Sequence, residues 1–219
     1  MLELNRIYNM DCMEGMAQFP DKYFELAIVD PPYFSGPQKL GYYGGGISTT
    51  NVKRPNYQKI GQWRIPGKAY YRELLRVSAN QIIWGINYFS FEGISSGRIV
   101  WDKQNENSSF SDGEIASCSL ITVVRFFRFR WNGMLQGNMA QKEHRIHPTQ
   151  KPVKLYQWLL HHYANPGDKI LDTHVGSASS LIACYQMGFD YIGFEIDPDY
   201  HALAMARLER HKQQGRLEL

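Results

Sequence analysis

The sequence of 219 residues predicts an α/β protein built on a parallel sheet. Two observations support this class. Short apolar runs rich in β-branched residues alternate with helical patterns, as in sheets that are covered on both faces. In addition, residues 168–200 contain a strand, a glycine turn, a helix and a second strand, which is the βαβ unit of nucleotide-binding sheets. The length suits one domain with a large core, and we predict a single domain over 1–219.

The elements predicted for the first part of the chain are mostly short strands. They are a strand at 5–8, a helix at 12–18, a strand at 26–29, an amphipathic helix at 67–77, and strands at 81–86 and 98–103. The run 119–131 begins as a buried strand and continues with Arg125, Arg128 and Arg130 among aromatic residues. Arginines in this setting suit contacts to phosphates and bases, and an edge strand with solvated arginines is the alternative.

The last part of the chain has clearer start and stop signals. It predicts a helix from 153 that ends at Asn165-Pro166-Gly167, a strand at 169–171, a helix from 179 to Gly188, a strand at 191–196, and a final helix with Asp197 as N-cap and Pro198 at its first position.

Composition and charge narrow the class of protein. No apolar run reaches transmembrane length and the N-terminus lacks a signal-peptide pattern, so we expect a cytoplasmic protein. The three cysteines are scattered and the histidines show no metal-binding spacing, which fits a reducing compartment and predicts no metal site. Residues 34–154 hold seventeen Lys and Arg against seven Asp and Glu, although the whole chain carries only +3. This basic middle region predicts a polyanionic partner.

Two segments within that region predict inserted loops. Residues 34–66 contain three consecutive glycines, scattered aromatic residues and basic residues, without clear periodicity. A loop of this length in a compact domain is usually functional or disordered. We expect 34–66 and 104–146 to be inserted segments that contact the polyanion, and candidate contacts in the first are Tyr42, Tyr43, Lys53, Arg54 and Trp63.

The strongest functional pattern is the end of the strand at 26–29. Asp30-Pro31-Pro32-Tyr33 follows it directly, and the two prolines cannot continue a strand ladder. In parallel sheets ligands bind at this carboxyl edge. The Asp30 carboxylate and the Pro31 carbonyl can each accept one hydrogen of an exocyclic amine, and Tyr33 can stack on the face of a base. A strand-ending turn without function is the alternative.

This DPPY segment resembles the catalytic motif of the DNA amino-methyltransferases, which methylate adenine N6 or cytosine N4. The segment His147-Pro148-Thr149-Gln150-Lys151-Pro152 resembles the cofactor element of the same enzymes. There the resemblance implies that Thr149 and Lys151 bind the methionine end of S-adenosylmethionine, with His147 nearby. Thr149 can also cap the helix that follows.

The βαβ unit resembles the glycine motif of this family and its acidic partner. The implied cofactor-binding residues in and around this unit are Asp11, Asp172, His174, Gly176, Ser177, Glu195, Ile196 and Asp197. Glu195 lies where an acidic residue accepts the ribose hydroxyls, and Asp11 where one contacts the cofactor's adenine. Thr173, His174 and Ala178 depart from the family pattern. Ala178 replaces a glycine, which matters if the position requires a positive φ.

The order of the motifs, with the catalytic one first, resembles the β-class of these enzymes, of phage or restriction-modification type. The resemblance implies a Rossmann-like sheet with one antiparallel strand, S-adenosylmethionine as cofactor and double-stranded DNA as partner. It favours adenine N6 as the target, because Asp in the first motif position is commoner in the N6 enzymes. A homodimer is left open, since members of this class are often dimers.

Other functions stay open at this point. Cytosine N4 methylation and a catalytically inactive DNA-binding relative are the main alternatives. RNA or protein-glutamine methyltransferases share a similar four-residue motif, typically with Asn first. A nicotinamide dehydrogenase would use a similar βαβ unit but would leave both other motifs unexplained.

Overall fold

The computed structural model describes residues 1–33, 45–47, 56–61, 63–106, 111–132 and 135–215. Their strands are β1 (Arg6–Tyr8), β2 (Phe24–Val29), β3 (Ser78–Trp84), β4 (Gly97–Asp102), β5 (Gly113–Cys118), β6 (Val124–Arg128), β7 (Trp131–Asn132), β8 (Leu135–Gln136), β9 (Lys169–Asp172) and β10 (Asp190–Phe194). Their helices are α1 (Cys12–Met16), α2 (Lys68–Val77), α3 (Val153–Tyr163), α4 (Ser179–Met187) and α5 (Pro198–Gln213), with a 3-10 turn at Ile86–Tyr88.

Eight of these strands form one sheet in the order β1-β10-β9-β2-β3-β5-β4-β6. All of its neighbouring pairs are parallel except the two that involve β5, which is antiparallel to both β3 and β4. The carboxyl ends of the other seven strands therefore meet at one edge of the sheet, and β5 begins at that edge. The α/β class and the single antiparallel strand are confirmed.

Strand β2 lies in the middle of the sheet and is buried on both faces. Leu26 and Ile28 pack into the cluster under α3, α4 and α5, while Ala27 and Val29 pack into the cluster under α1 and α2. This alternation follows the two-residue period of a strand. Asp30 continues the side of Leu26 and Ile28, so it points to the face where α3 begins.

The outer end of the sheet is less covered. Phe127 of the edge strand β6 is buried against Trp158 of α3, with ring centroids 5.6 Å apart. On the opposite face Val124 and Phe126 are about half exposed. The buried strand expected at the start of 119–131 is therefore wrong, because residues 119–123 form no strand and β6 is an exposed edge strand.

Several boundaries differ from the sequence prediction for simple reasons. Strands β5 and β6 of the main sheet lie within 104–146, so this range is not a single inserted loop. Strand β10 ends at Phe194, which leaves Glu195 just beyond the strand. Thr149 does not cap α3: the N–H of Val153 donates instead to Glu143 Oε1 at 2.9 Å.

Three further observations concern other classes of function. Among the helices that the structure describes, none combines the length and apolar character needed to span a bilayer. No group of three or more His, Cys, Asp or Glu side chains within the described ranges is arranged to hold a metal ion. The three cysteines are free thiols.

Candidate active site

A cleft of about 780 Å³, including its open mouth, lies at the carboxyl edge of the sheet. Twelve of the predicted site residues line it: Asp30, Pro31, Pro32, Tyr33, His147, Thr149, Lys151, His174, Gly176, Ser177, Glu195 and Ile196. The cleft thus unites the three sequence motifs, the first of which lies more than a hundred residues before the others. We call residues 30–33 with their partners the catalytic half, and 172–179 with 195–200 the cofactor half.

The two carboxylate oxygens of Asp30 have different surroundings. Oδ2 accepts a hydrogen bond from Lys151 Nζ at 2.6 Å. Oδ1 is buried and has no hydrogen-bond partner among the residues that the structure describes. Burial raises the pKa of Asp30 against the opposing effect of the Lys151 ammonium. One oxygen is therefore fixed by the protein, and the other is left for a donor that enters the cleft.

The Tyr33 side chain is fixed by stacking on another aromatic ring and by a hydrogen bond to a carboxylate. Its ring stacks on Tyr88 with centroids 4.9 Å apart and planes 16° from parallel. This approach requires Gly85, which has φ +71°, because an added Cβ would lie 2.2 Å from the Tyr33 ring. The Tyr33 hydroxyl donates to Glu114 Oε2 at 3.4 Å. Burial raises the pKa of Tyr33 well above its usual value, so the hydroxyl stays protonated.

Behind Asp30 lies a buried network of two cations and two anions. Lys151 Nζ contacts Glu114 Oε2 at 2.7 Å in addition to Asp30, and Lys103 Nζ pairs with Glu114 Oε1. The Lys151 side chain is only 3% exposed. Burial raises the pKa of Glu114, but the ammonium groups of Lys151 and Lys103 outweigh burial and bring that pKa down to about 2. Glu114 is therefore ionised near pH 7 and links the two lysines.

Glu114 reaches this site because β5 is reversed. It stands at the start of β5, opposite Trp101 near the end of β4, and so lies at the carboxyl edge of the parallel strands. Sequence analysis missed Glu114. The one available signal was an acidic residue directly before the short, mostly apolar run Ile115 to Cys118. Lys103, which directly follows β4, pairs with it.

The cofactor half is held by bonds between side chains and backbone. Glu195 Oε2 accepts the N–H of Gly176 at 2.8 Å, and Oε1 accepts the N–H of Asp197 at 3.0 Å. Gly176 has φ +52°, a conformation that disfavours other residues. Asp197 caps α5 through the N–H groups of Asp199 and Tyr200, as predicted. Burial raises the pKa of Glu195.

Asp172 lies just beneath the cleft. Its Oδ1 accepts the N–H of His174 at 3.0 Å, and Oδ2 accepts the hydroxyl of Ser180. Burial raises its pKa to about 7, since none of these partners carries a charge. The turn continues to Ala178, which has φ +60°. Ala178, which replaces the glycine of the family pattern, therefore has a left-handed backbone conformation.

Two histidine rings line the cleft without charge. Burial lowers the pKa of His147 to about 3 and that of His174 to about 4. His147 Nδ1 bonds the Thr149 hydroxyl at 3.1 Å, and the His174 ring lies edge-on to Tyr70. Both rings are neutral near pH 7 and add no positive charge to the cleft.

Residues 58–61 lie across the start of α5. The N–H of Gly61 donates to Asp197 Oδ2 at 3.0 Å, and the Tyr200 hydroxyl donates to the carbonyl of Gln58 at 2.5 Å. Ile60 and Trp63 line the cleft as a result. Within the segment predicted as 34–66, these residues therefore cover the cofactor half.

The remaining predicted residues lie elsewhere. Asp11 caps α1 through the N–H of Met13 and does not line the cleft. Asp172 and Asp197 support the cleft from behind. The exposed residues Arg125, Arg128 and Arg130 belong to β6 or follow it, four strands from β2. Tyr42, Tyr43, Lys53 and Arg54 lie outside the described residues.

Part of this chain resembles a known protein family. The model of a family described as DNA methylase matches residues 100–206, which include the HPTQKP segment and the glycine turn. This match covers 107 of the 219 residues and supports a relationship to the DNA methylases. The putative methylase YubD of Escherichia coli (strain K12) is 27% identical over 223 residues, which cover 97% of this chain and 95% of YubD. The type II methyltransferase M2.MboI of Moraxella bovis is 25% identical over 92% of this chain and 86% of its own length.

Solved structures of methylases share the fold. The M1.HpyAVI–SAM complex superposes with a TM-score of 0.53 at 21% identity, covering 92% of this chain and 98% of that one. TTHA0409 from Thermus thermophilus, a putative DNA modification methylase complexed with S-adenosyl-L-methionine, gives 0.55 at 19% identity, covering 94% and 93%. The cytosine-N4-specific PvuII DNA methyltransferase gives 0.59 at 11% identity, covering 97% and 92%. These likenesses show that this chain has the fold of these methylases.

Proposed function

We propose that this methylase transfers a methyl group from S-adenosylmethionine to the exocyclic N6 amine of adenine in double-stranded DNA. The observation that carries the proposal is the unequal pair of oxygens on Asp30. Lys151 fixes Oδ2, while Oδ1 is buried at the end of β2 without a partner among the described residues. A carboxylate oxygen in this state beside a proline-ended strand suits the binding of an amine hydrogen.

The described residues of the cofactor half fit S-adenosylmethionine, which supplies a methyl group on a positively charged sulfur. Glu195 lines the cleft and offers a carboxylate to the ribose hydroxyls, and Asp172 just beneath the cleft adds a second carboxylate that favours the cofactor's ammonium group. The neutral His147 and His174 place no competing charge beside the sulfonium. Lys151 has three N–H donors and uses two on Asp30 and Glu114, which leaves one for the cofactor's carboxylate.

The catalytic half would act on a base that has left the duplex. Extruding an adenine costs a few kcal/mol, and stacking on Tyr33 returns about 1–3 kcal/mol. Asp30 Oδ1 and the Pro31 carbonyl each accept one amine hydrogen and aim the nitrogen lone pair at the methyl group. Most of the rate enhancement then comes from proximity and orientation. Asp30 orients the amine and does not need to be a strong base.

DNA would bind over the basic middle region of the chain. The exposed arginines 125, 128 and 130 lie on the edge strand β6 or just after it, and Lys53 and Arg54 are further candidates by sequence. Arg128 extends over the ring of Phe126, with 5.2 Å between the guanidinium carbon and the ring centroid. A cation on an exposed aromatic ring suits contacts to a phosphate backbone.

Adenine is preferred to cytosine because the motif begins with Asp30 and resembles that of the N6 enzymes. The fold alone does not favour adenine, since the cytosine-N4-specific PvuII enzyme shares it.

The test is transfer of labelled methyl groups from S-adenosylmethionine to unmethylated duplex DNA, followed by nucleoside analysis, with wild type and Asp30→Ala compared. We expect label in N6-methyladenine from wild type and a loss on the order of 10³-fold in the variant. Label in N4-methylcytosine would keep the mechanism and overturn the choice of base. An unlabelled product together with no cofactor binding would instead indicate an inactive DNA-binding relative.

A further inference from the structure

We propose that Glu114 is a positioning residue for methyl transfer, which acts on Asp30 and Tyr33 through Lys151 and through the Tyr33 hydroxyl. The inference rests on the proposed methyl transfer and adds a residue that lies outside all three sequence motifs. Glu114 lines no part of the cleft itself, so its effect on the reacting amine passes through its neighbours.

The contacts of Glu114 divide between its two oxygens. Oε2 pairs with Lys151 Nζ at 2.7 Å and accepts a hydrogen bond from the Tyr33 hydroxyl at 3.4 Å. Oε1 is held by Lys103. The oxygen that faces the catalytic half is therefore anchored from behind by a second cation. This arrangement fixes the position of Glu114 without involving either group on which it acts.

The same arrangement determines what Lys151 does to Asp30. A lone ammonium beside Asp30 would be free to move between the two carboxylate oxygens. With Glu114 Oε2 on its other side, Lys151 Nζ is confined to Oδ2 at 2.6 Å. Asp30 Oδ1 then stays available for the amine. Glu114 thereby fixes which oxygen of Asp30 faces the substrate, and it anchors the ring that stacks on the base.

The second part of the inference concerns the effect of neighbouring charges on the pKa of Asp30. The groups whose charges act on Asp30 are Lys151, Glu114 and Lys103, and the buried Tyr33, Tyr156 and Asp172 respond to the charge of Asp30. Glu114 raises the pKa of Asp30, whereas Lys151 lowers it. Removal of the Glu114 charge must therefore shift the ionisation of Asp30 to lower pH, and removal of the Lys151 charge must shift it to higher pH.

The experiment compares Glu114→Gln with Glu73→Gln in single-turnover methyl transfer to duplex DNA across pH. Glu73 is a matched control, because its carboxylate pairs with Arg76 and is 20% exposed, close to the 18% of Glu114, but it lies on α2. We expect Glu114→Gln to slow transfer on the order of 100-fold, with the dissociation constant of S-adenosylmethionine near that of wild type. The acid limb of its pH–rate profile should move to lower pH, and that of Lys151→Met to higher pH. Glu73→Gln should match wild type in rate and profile.

A second variant guards against misfolding. Glu114→Gln combined with Lys103→Met removes one anion and one cation, so the cluster stays neutral, and such replacements of a buried pair are often tolerated. This double variant should fold and still transfer slowly. An unchanged rate in Glu114→Gln, or a rate that falls only in parallel with cofactor affinity, would overturn the inference. If wild type itself transfers no label, the proposed function fails and the inference falls with it.

Discussion

The two halves of the cleft are held in place by different physical means. In the catalytic half, Asp30, Lys151, Glu114 and Lys103 come from distant parts of the chain and fix one another by charge. In the cofactor half, the carboxylates accept backbone N–H groups and a hydroxyl, such as Gly176 N–H on Glu195 at 2.8 Å. Among the described residues, the carboxylates of the catalytic half are paired with lysine ammonium groups, whereas those of the cofactor half have no such cationic partner.

This difference has consequences for stability and for chemistry. Removing any one member of a buried charge network destabilises the folded protein, because the remaining charges stay buried without a partner. Dipolar partners fix a carboxylate in space but leave most of its desolvation cost in place. Charge removal should therefore destabilise the catalytic half and stabilise the cofactor half before the cofactor binds.

The largest effect is expected for Lys151→Met. It leaves Asp30 and Glu114 buried with only Lys103 as a cation, and we expect a loss of about 3–5 kcal/mol in the free energy of unfolding. Urea denaturation at pH 7 measures it. Lys169→Met is the control, because its pair with Glu25 at 2.9 Å is 25% and 39% exposed, and such pairs contribute about 0–1 kcal/mol. Equal losses in both variants would mean that the network is not held by charge.

The cofactor half was largely predictable from sequence because its determinants are local. Asp197 with Pro198 specified the start of α5, and Gly188 the end of α4. The bonds of Glu195 to Asp197 and of Asp172 to His174 each span two residues. Turn chemistry and capping of this kind act within one segment, so a sequence pattern contains them.

The catalytic half was predictable only in part. The DPPY segment marked Asp30 and Tyr33, but Glu114 and its contacts depend on where β5 lies and on its direction. Tyr33 and Glu114 are 81 residues apart, and Asp30 and Lys151 are 121 apart. No local pattern encodes such pairings, since they follow from sheet order. For the same reason Lys151 was assigned to the cofactor alone, without its contacts to Asp30 and Glu114.

Replacement of Asp172 should change the free energy of unfolding in the opposite direction from Lys151→Met. Its pKa is raised from 3.8 to about 7 by burial, so the folded state holds this proton more tightly than the unfolded chain. Stability is therefore lost as pH rises from about 4 to 7, and the full cost remains above 7. Each pKa unit corresponds to about 1.4 kcal/mol, and we expect Asp172→Asn to stabilise the cofactor-free protein on the order of 4 kcal/mol at pH 8.

The measurement is urea denaturation of both proteins at several pH values, with cofactor titration alongside. The gain from Asp172→Asn should vanish below about pH 4, and its affinity for S-adenosylmethionine should fall. Asp168→Asn is the control, because Asp168 accepts the N–H of Asn165 at the surface, and this variant should not reproduce the stabilisation expected for Asp172→Asn. A gain that is constant with pH would contradict the role given to the Asp172 charge.

The smallest effect separates backbone strain from packing within the cofactor half. Ala178 and Ala183 are both fully buried, but Ala178 has φ +60° while Ala183 lies inside α4. Replacing either with glycine removes one buried methyl and adds the same freedom to the unfolded chain, so these costs cancel between the two variants. Ala178→Gly alone also relieves left-handed strain, which costs an alanine about 1–2 kcal/mol. The free energies of unfolding should therefore differ by about this amount in favour of Ala178→Gly, and equal values would show that the turn carries no strain.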